Sequence, residues 1–423
     1  MERTAKPVER HLREWGRAHR FAGSKDRAAI AARLYAIERR RAQLAWRMQS
    51  ASPRALAIAA VLDEGEVETL FSGTGYGPAA LSDAERGAIA SPPAGEAPAH
   101  VKGEYPGFLE NELKRAFGER LPEEMLALQQ RAPVDLRVNT LKSRRDAVIE
   151  ALVAQGYDAQ PTSRSPVGIR LPAGVTGLER TALFAAGAFE FQDEAAQVAS
   201  LMCGAAPGMR VLDLAAGAGG KSLALAAEMK NDGEIVACDI RADALAELER
   251  RAARAGVTII KTKEDLPRPR EAGERAGVRG LPQQTPVSPP PHPNPLPHIR
   301  GGEGMESFDI VLVDAPCSGT GTWRRQPELR WRLTPERLAE LQSIQDELLS
   351  RAAAHVKPGG RLVYATCSIL PCENEDRIAR LRESRRDFVP AGGEFRASPL
   401  STGTDGFFAA VLTSGQAPQD PRP

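Results

Sequence analysis

Two cysteines, each set in a polar turn directly after an apolar run, are the residues best placed to do chemistry in this chain. Ile310–Gly321 reads I-V-L-V-D-A-P-C-S-G-T-G, and Tyr364–Ser368 reads Y-A-T-C-S. Four apolar residues without alternation describe a central strand buried on both faces. Ligands of open α/β sheets sit outside the carboxyl ends of such strands, so Asp314, Cys317 and Cys367 are expected to meet at one crevice. A single buried cysteine is most often packing; two in this setting point to reactivity. A thiolate adding to carbon 6 of cytosine would make carbon 5, otherwise a poor nucleophile towards a methyl sulfonium, the reactive end of an enamine. Asp314, hydrogen-bonded to ring nitrogen 3, would relieve the charge that builds on the pyrimidine. A second thiol would help the first one leave. Only a few per cent of a free thiol is ionised near neutral pH, so neighbours must activate it.

A glycine-rich loop, D-L-A-A-G-A-G-G-K-S (Asp213–Ser222), follows an earlier strand and opens a helix. Glycines let backbone amides approach a ligand, and a helix N-terminus favours negative groups. A phosphate-binding G-x-x-x-x-G-K-S loop needs glycine at 215, where alanine stands. A nicotinamide G-x-G-x-x-G fingerprint fits Gly217 and Gly219 but meets Ser222 at its third glycine. S-adenosylmethionine remains. Its amino-acid end would meet the loop, and Asp239, at the end of I-V-A-C-D, would take the ribose hydroxyls. A helix N-cap is the other role open to Asp239. An NTPase stays open as a rival, since Ile310–Asp314 could pass for a magnesium-binding strand, and a catalytically dead RNA-binding scaffold is a further alternative.

The elements that must position these residues follow a strand–helix rhythm. Strands are expected at Val211–Leu214, Ile235–Cys238, Val257–Ile260, Ile310–Val313, Leu362–Ala365 and Phe407–Leu412. Helices are expected at Lys221–Met229, Ala242–Ala255 and Pro335–Val356. That alternation predicts an α/β fold with a doubly wound, mostly parallel sheet. Ahead of it, residues 131–190 read as a small α/β module with strands at 134–140 and Gly168–Leu171 around a helix at Arg144–Gln155. Residues 8–62 and 106–130 read as helices, with a start signal at Ser52-Pro53 and a Pro/Gly-rich linker at Ser91–Pro98. Residues 267–304, containing S-P-P-P-H-P-N-P-L-P, read as a disordered insertion; a proline-rich ligand for an SH3-like domain is the other reading.

The chain has 423 residues with 56 Lys+Arg against 55 Asp+Glu, so net charge alone selects no partner. The first fifty residues carry thirteen Lys/Arg and five acids, an excess that could meet phosphates or form a solvated helix face. Five cysteines without a C-x-x-C pair predict neither a disulfide framework nor a zinc site. No leader or membrane span is legible, and a reduced, cytoplasmic protein is expected. Arg324, Arg325, Arg330 and Trp331 follow the Cys317 turn, and Arg137, Asn139 and Lys142 form a second patch; both could hold RNA, or serve salt bridges and packing.

D-A-P-C-S-G-T-G-T-W-R-R-Q-P-E-L-R-W (Asp314–Trp331) and Y-A-T-C-S-I-L-P-C-E-N-E (Tyr364–Glu375) resemble the two signature blocks of the RsmB/Nop/NSUN-type RNA 5-methylcytosine methyltransferases. L-R-V-N-T-L-K (Leu136–Lys142) resembles the family's RNA-side motif, and D-G-F-F (Asp405–Phe408) its final strand. The resemblance covers roughly residues 131–412 apart from the insertion. It implies a Rossmann-like class I methyltransferase domain over 191–413, preceded by a linker helix and small α/β RNA-binding module over 99–190. It also implies a NusB-like RNA-binding helical domain over 1–98, and 414–423 is expected to be a tail. By resemblance Cys367 is the nucleophile, Cys317 assists product release, and Asp314 contacts the base and the cofactor. Ala215, Ala216, Gly217, Ala218, Gly219, Gly220 and Lys221 with Asp239 bind S-adenosylmethionine, and Lys221 lies close to the reacting base. The loop departs from the family's usual C-A-A-P-G-G-K by lacking the proline. Asp265 stands nearest to where the family's adenine-side acid belongs. The expected substrate is small-subunit ribosomal RNA, with transfer RNA as the alternative, and a monomer without metal is expected. DNA cytosine methyltransferases, which attack through a P-C cysteine, would instead make Cys317 the nucleophile.

Overall fold

A computed structural model of the chain describes residues 8–264 and 306–415. The expectations for Asp265, for the 267–304 insertion and for 416–423 lie outside these residues. Four strands, β1 (Val134–Val138), β2 (Gln160–Pro161), β3 (Gly168–Leu171) and β4 (Phe189–Phe191), form a small sheet in the order β2-β3-β1-β4, antiparallel throughout. Its buried face carries Leu136, Val138, Ile169, Leu171 and Phe189 against Val148 and Leu152 of the helix Arg145–Ala154. The small module was expected to stop at 190; the pairing of Leu136 with Phe191 carries its sheet one residue further.

The large sheet contains β5 (Arg210–Leu214), β6 (Glu234–Asp239), β7 (Ile260–Glu264), β8 (Phe308–Asp314), β9 (Val356–Thr366), β10 (Phe388–Pro390), β11 (Phe395–Ala397) and β12 (Phe407–Ser414). Its order is β10-β12-β9-β8-β5-β6-β7, with β11 on β12. Strands β5 to β9 run parallel and β12 returns antiparallel to β9. The doubly wound, mostly parallel expectation is met. Residues in β5, β6, β8 and β9 alternate between two cores. Leu212, Val236, Val311, Val313, Leu362 and Tyr364 pack under Leu349, Ala352, Ile378 and Leu381 of two helices. Val211, Ile235, Ile310, Leu312 and Val363 pack under Leu223, Leu225, Leu248 and Ala252 of two others. Covering both faces explains why β6, β8 and β9 carry unbroken apolar runs, with β5 interrupted only by the buried Asp213. Each fully buried Val or Leu contributes roughly 1.5–3 kcal/mol, which fixes the strand ends where the chemistry sits.

One strand moves from its expected place. The apolar run Val257–Ile260 suggested a strand, yet β7 begins only at Ile260. Gly256, with φ 73°, ends the helix Ala242–Ala255, and the Val257 N–H reaches back to the Ala252 carbonyl at 2.9 Å. Val257 therefore closes the helix C-terminus, and the edge strand is built from the more polar residues after it. At the other end, Ser414, expected in the tail, is the last residue of β12 and pairs with Phe388.

The N-terminal helices Val8–Ala18, Ser24–Arg39, Arg41–Met48 and Pro53–Val61 match the expected helical stretch. Ser52 caps the last of them by accepting the Ala55 N–H at 3.2 Å, with Pro53 in the first turn. Leu44, Met48, Leu56, Ile58, Phe71 and Leu81 form their core. Among the described residues no helix is long and apolar enough to cross a membrane.

Candidate active site

The strand order reverses between β5 and β8, and loops leaving the carboxyl ends of such neighbours open a crevice between them. Asp314 closes β8 in register with Ala365 of β9. Cys317 and Cys367 each lie three and one residues beyond those strand ends, and their sulfurs are 3.4 Å apart. Both thiols are partly exposed. The Lys221 ammonium, from the first turn of the helix Gly220–Glu228, sits 2.6 Å from Asp314 Oδ2. It also lies 5.1 Å above the Phe407 ring. Burial opposes the Lys221 charge, but Asp314 and the nearby Cys367 sulfur outweigh it and hold the amine above its usual range. The hydrogen bond to Cys367, burial and the Glu373 carboxylate together push the Cys317 thiol well up. Cys317 is thus held as a thiol.

The glycine loop folds over the end of β6. Ala215 and Ala216 N–H groups both donate to the Cys238 carbonyl, at 2.9 and 2.8 Å. The Gly217 N–H donates to Asp239 Oδ2 at 2.8 Å, and Asp239 Oδ1 accepts the Arg241 N–H at 2.8 Å and Nε at 3.0 Å. Burial opposes the Asp239 charge, yet Arg241 and the Gly217 amide hold its carboxyl below the usual range. Asp239 is not a helix N-cap: Arg241 occupies that position. Gly219, with φ 79°, cannot carry a side chain, because a Cβ would lie 2.4 Å from Leu248 Cγ. Ala215 adopts φ 76°, a left-handed conformation that costs an alanine energy. Ala218 contributes its carbonyl to Arg251 at 2.6 Å.

Beneath the loop, Asp213 is fully buried and accepts the Ser222 hydroxyl at 2.5 Å, while its other oxygen has no partner. Burial, opposed by Ser222 and reinforced by Asp314, pushes its pKa up to about 7. The unfolded chain would release this proton near pH 4. Native protein therefore holds more protons between pH 4 and 7, and this group's stabilisation is lost as pH rises through that window. Asp213→Asn is expected to flatten the fall by a few kcal/mol, read from urea unfolding at pH 5 and pH 8. An unchanged pH slope would contradict it.

The residues expected to touch RNA are placed in internal contacts. Arg137 donates to Gln192 Oε1 at 2.7 Å and to the Gly220 carbonyl at 3.4 Å, so it braces the helix that carries Lys221. Asn139 ties the Gly187 and Ala255 carbonyls at 3.0 and 2.9 Å, and Lys142 Nζ caps those of Ala186 and Arg254. Arg324 and Arg325 both bind Asp405, and Arg325 adds Asp193 at 3.0 Å. Arg330, fully buried, donates to the Glu104 and Leu128 carbonyls at 3.0 and 3.3 Å. Trp331 donates to the Glu38 carbonyl at 3.1 Å. These ties pin the loop after Cys317 to the small sheet and to the N-terminal helices. A direct phosphate contact by Arg330 would require that packing to open. Several N-terminal cations are also ion-paired, Arg33 with Glu64 and Arg54 with Glu85.

Sequence reasoning missed four contributors. Phe407 lies in the quoted D-G-F-F stretch, whose apolar pattern gave its strand but not its ring under Lys221. Asp193 and Asp405 anchor the two arginines from distant segments, and spacing carries no signal for such pairs. Arg241 occupies both Asp239 oxygens from two residues away.

Residues 202–413 match the family model described as 16S rRNA methyltransferase RsmB/F, and residues 105–176 match the ferredoxin-like domain of RsmF/B-like methyltransferases. The ribosomal RNA small subunit methyltransferase B of Klebsiella pneumoniae is 33% identical over 316 residues, 73% of this chain and 65% of that protein. That of Photorhabdus laumondii is 32% identical over 318 residues, 73% of this chain and 66% of its own length. The chain thus spans just under two-thirds of these relatives. The crystal structure of PH0851 superposes with a TM-score of 0.72 at 27% identity, covering 96% of this chain and 95% of that one. A methyltransferase homologue from Pyrococcus horikoshii gives a TM-score of 0.60 at 25% identity, over 75% and 97%. These matches leave no place for the NTPase reading. The chain belongs to the 16S rRNA methyltransferase RsmB/F family.

Proposed function

We propose that the protein methylates carbon 5 of a cytosine in small-subunit ribosomal RNA, using S-adenosylmethionine and a covalent bond between Cys367 and the base. The observation that carries this reading is the 3.4 Å approach of two sulfurs at the ends of adjacent parallel strands, beside the Lys221–Asp314 pair. The loop suits the cofactor's amino-acid end. Gly219 caps the helix Gly220–Glu228 without a side chain, and no acid stands in the first turn, so first-turn N–H groups remain for a carboxylate. Asp239, held charged, suits hydroxyl donors, although Arg241 would have to yield part of it. When bound, S-adenosylmethionine supplies an electrophilic methyl group.

Cys367 adds through sulfur to carbon 6, and the ring electrons move to carbon 5. The Lys221 ammonium lies where it attracts the attacking sulfur, and the proton given up by the thiol goes to ring nitrogen 3, whose N–H then donates to Asp314. After methylation solvent takes the carbon 5 proton, and its electrons restore the ring double bond as the Cys367–carbon 6 bond breaks. The Cys317 thiol, 3.4 Å away, passes its proton to the departing sulfur and is reprotonated as ring nitrogen 3 gives up its own. Base-modifying enzymes take their target out of the stack. Arg324, Arg325 and Arg330 serve RNA indirectly in this reading, by fixing the loop that presents Cys317. Bisulfite sequencing of 16S ribosomal RNA, unmethylated and then incubated with protein and cofactor, should reveal one new protected cytosine. Methyl transfer to another base, or to none, would contradict the proposal.

A further inference from the structure

Behind both thiol turns lies a buried polar cluster that the chemistry above does not use. Glu373 is fully buried. Its Oε1 accepts the Ser318 N–H at 2.8 Å and the Gln345 side-chain amide at 3.0 Å. Its Oε2 accepts the Ser318 hydroxyl and, at 2.5 Å, the Ser368 hydroxyl. Ser318 directly follows Cys317, and Ser368 directly follows Cys367. Asn374, the next residue, accepts the Thr366 hydroxyl at 2.5 Å and donates to the Ser368 carbonyl at 3.0 Å, so it holds the positions on either side of Cys367. Thr320 closes the cluster by meeting Ser368 Oγ at 3.0 Å and accepting the Ile369 N–H at 3.0 Å. The Tyr364 hydroxyl fixes the Glu373 carbonyl at 2.6 Å.

We propose that Glu373, with Asn374, is a positioning clamp that sets the separation and aim of the two sulfurs. Four donors converge on the Glu373 side chain, two on each oxygen, an arrangement that suits a carboxylate's two acceptor atoms. Glutamine would fill the same volume, but its NH₂ would force both serine hydroxyls to turn from donors into acceptors and would remove the charge that shortens these bonds, so the ties on the two thiol turns slacken. A shift of about 1 Å at reacting atoms costs on the order of 10²-fold in rate. The clamp rests on Cys367 as the attacking sulfur, and its test separates the two claims.

Wild type, Cys367→Ala and Glu373→Gln are compared with RNA carrying 5-fluorocytosine at the target. Glu373→Gln should keep cofactor affinity by calorimetry and the RNA KM within about twofold, while kcat and the rate of adduct formation fall about 10²-fold. A second readout needs no turnover. Diamide, an azo oxidant, takes two electrons and two protons from the Cys317–Cys367 pair, giving a disulfide and the hydrazide, and this should slow at least about tenfold in Glu373→Gln. Wild-type rates of both adduct and disulfide in Glu373→Gln would overturn the clamp alone. An adduct that forms without Cys367 would overturn the nucleophile assignment, while the disulfide rate would still decide the clamp. Should Glu373→Gln fail to fold, Ser318→Ala and Ser368→Ala each remove one hydroxyl tie. Each should slow disulfide formation about tenfold, and unchanged rates in both would overturn the proposal.

Discussion

Cys367→Ala is expected to lose at least about 10³-fold in methyl transfer while binding RNA and S-adenosylmethionine as the wild type does. Removing the sulfur takes away the covalent route, and carbon 5 of cytosine is left with its own poor nucleophilicity. The neighbouring Cys317 thiol is pushed well above its ordinary range and is a poor substitute at neutral pH. Lys221 is committed to Asp314 at 2.6 Å and is held protonated. Alanine also leaves the fold intact, because Cys367 is partly exposed and its turn is held by backbone and neighbours: the Cys367 carbonyl accepts the Gly321 N–H at 2.9 Å. Steady-state turnover with tritiated methyl donor, beside filter binding of RNA, separates loss of chemistry from loss of affinity. Retention of more than a tenth of wild-type turnover would contradict the role given to this sulfur.

Cys317→Ala should fail later in the cycle. Attack by Cys367 and methylation need no proton from position 317, so the covalent complex should form at nearly the wild-type rate. Its breakdown should slow on the order of 10²–10⁴-fold, the range of a lost acid–base partner. Protein carrying one equivalent of methylated RNA should then accumulate and survive denaturing electrophoresis. The state of Cys317 supports this division of labour, since Cys367, burial and Glu373 hold its thiol well above the ordinary range. A variant that turns over freely, or one that never forms the complex, would reverse the assignment of the two cysteines.

Much of this arrangement was legible before any coordinates. The unbroken apolar run at Ile310–Val313 betrays a strand buried on both faces, and parallel order then forces Asp314, Cys317 and Cys367 to one edge of the sheet. Gly219 was legible as a residue that lets backbone approach a ligand, and the structure adds a second reason, since a left-handed turn and packing on Leu248 both exclude a side chain. Charge was a poorer guide. Arg137, Arg324 and Arg330 look like phosphate binders when only type and neighbourhood in sequence are known. Their partners, Gln192, Asp405 and the Glu104 carbonyl, come from segments 55 to 226 residues away, and no local pattern announces such pairs. Val257 misled for a local reason, since a helix cap and a strand start both call for an apolar residue after glycine. Glu373 and Asn374 sat in the quoted C-E-N-E stretch, but their role needs the two thiol turns brought together.

The most direct test of the central claim is the site of attachment. Wild-type protein is trapped on 5-fluorocytosine RNA with S-adenosylmethionine, digested with trypsin and nuclease, and the nucleotide-bearing peptide is sequenced by mass spectrometry. The mass of a methylated fluorocytidine nucleotide should fall on Cys367, with Cys317 unmodified. The same mass on Cys317, or on no cysteine, would contradict the account.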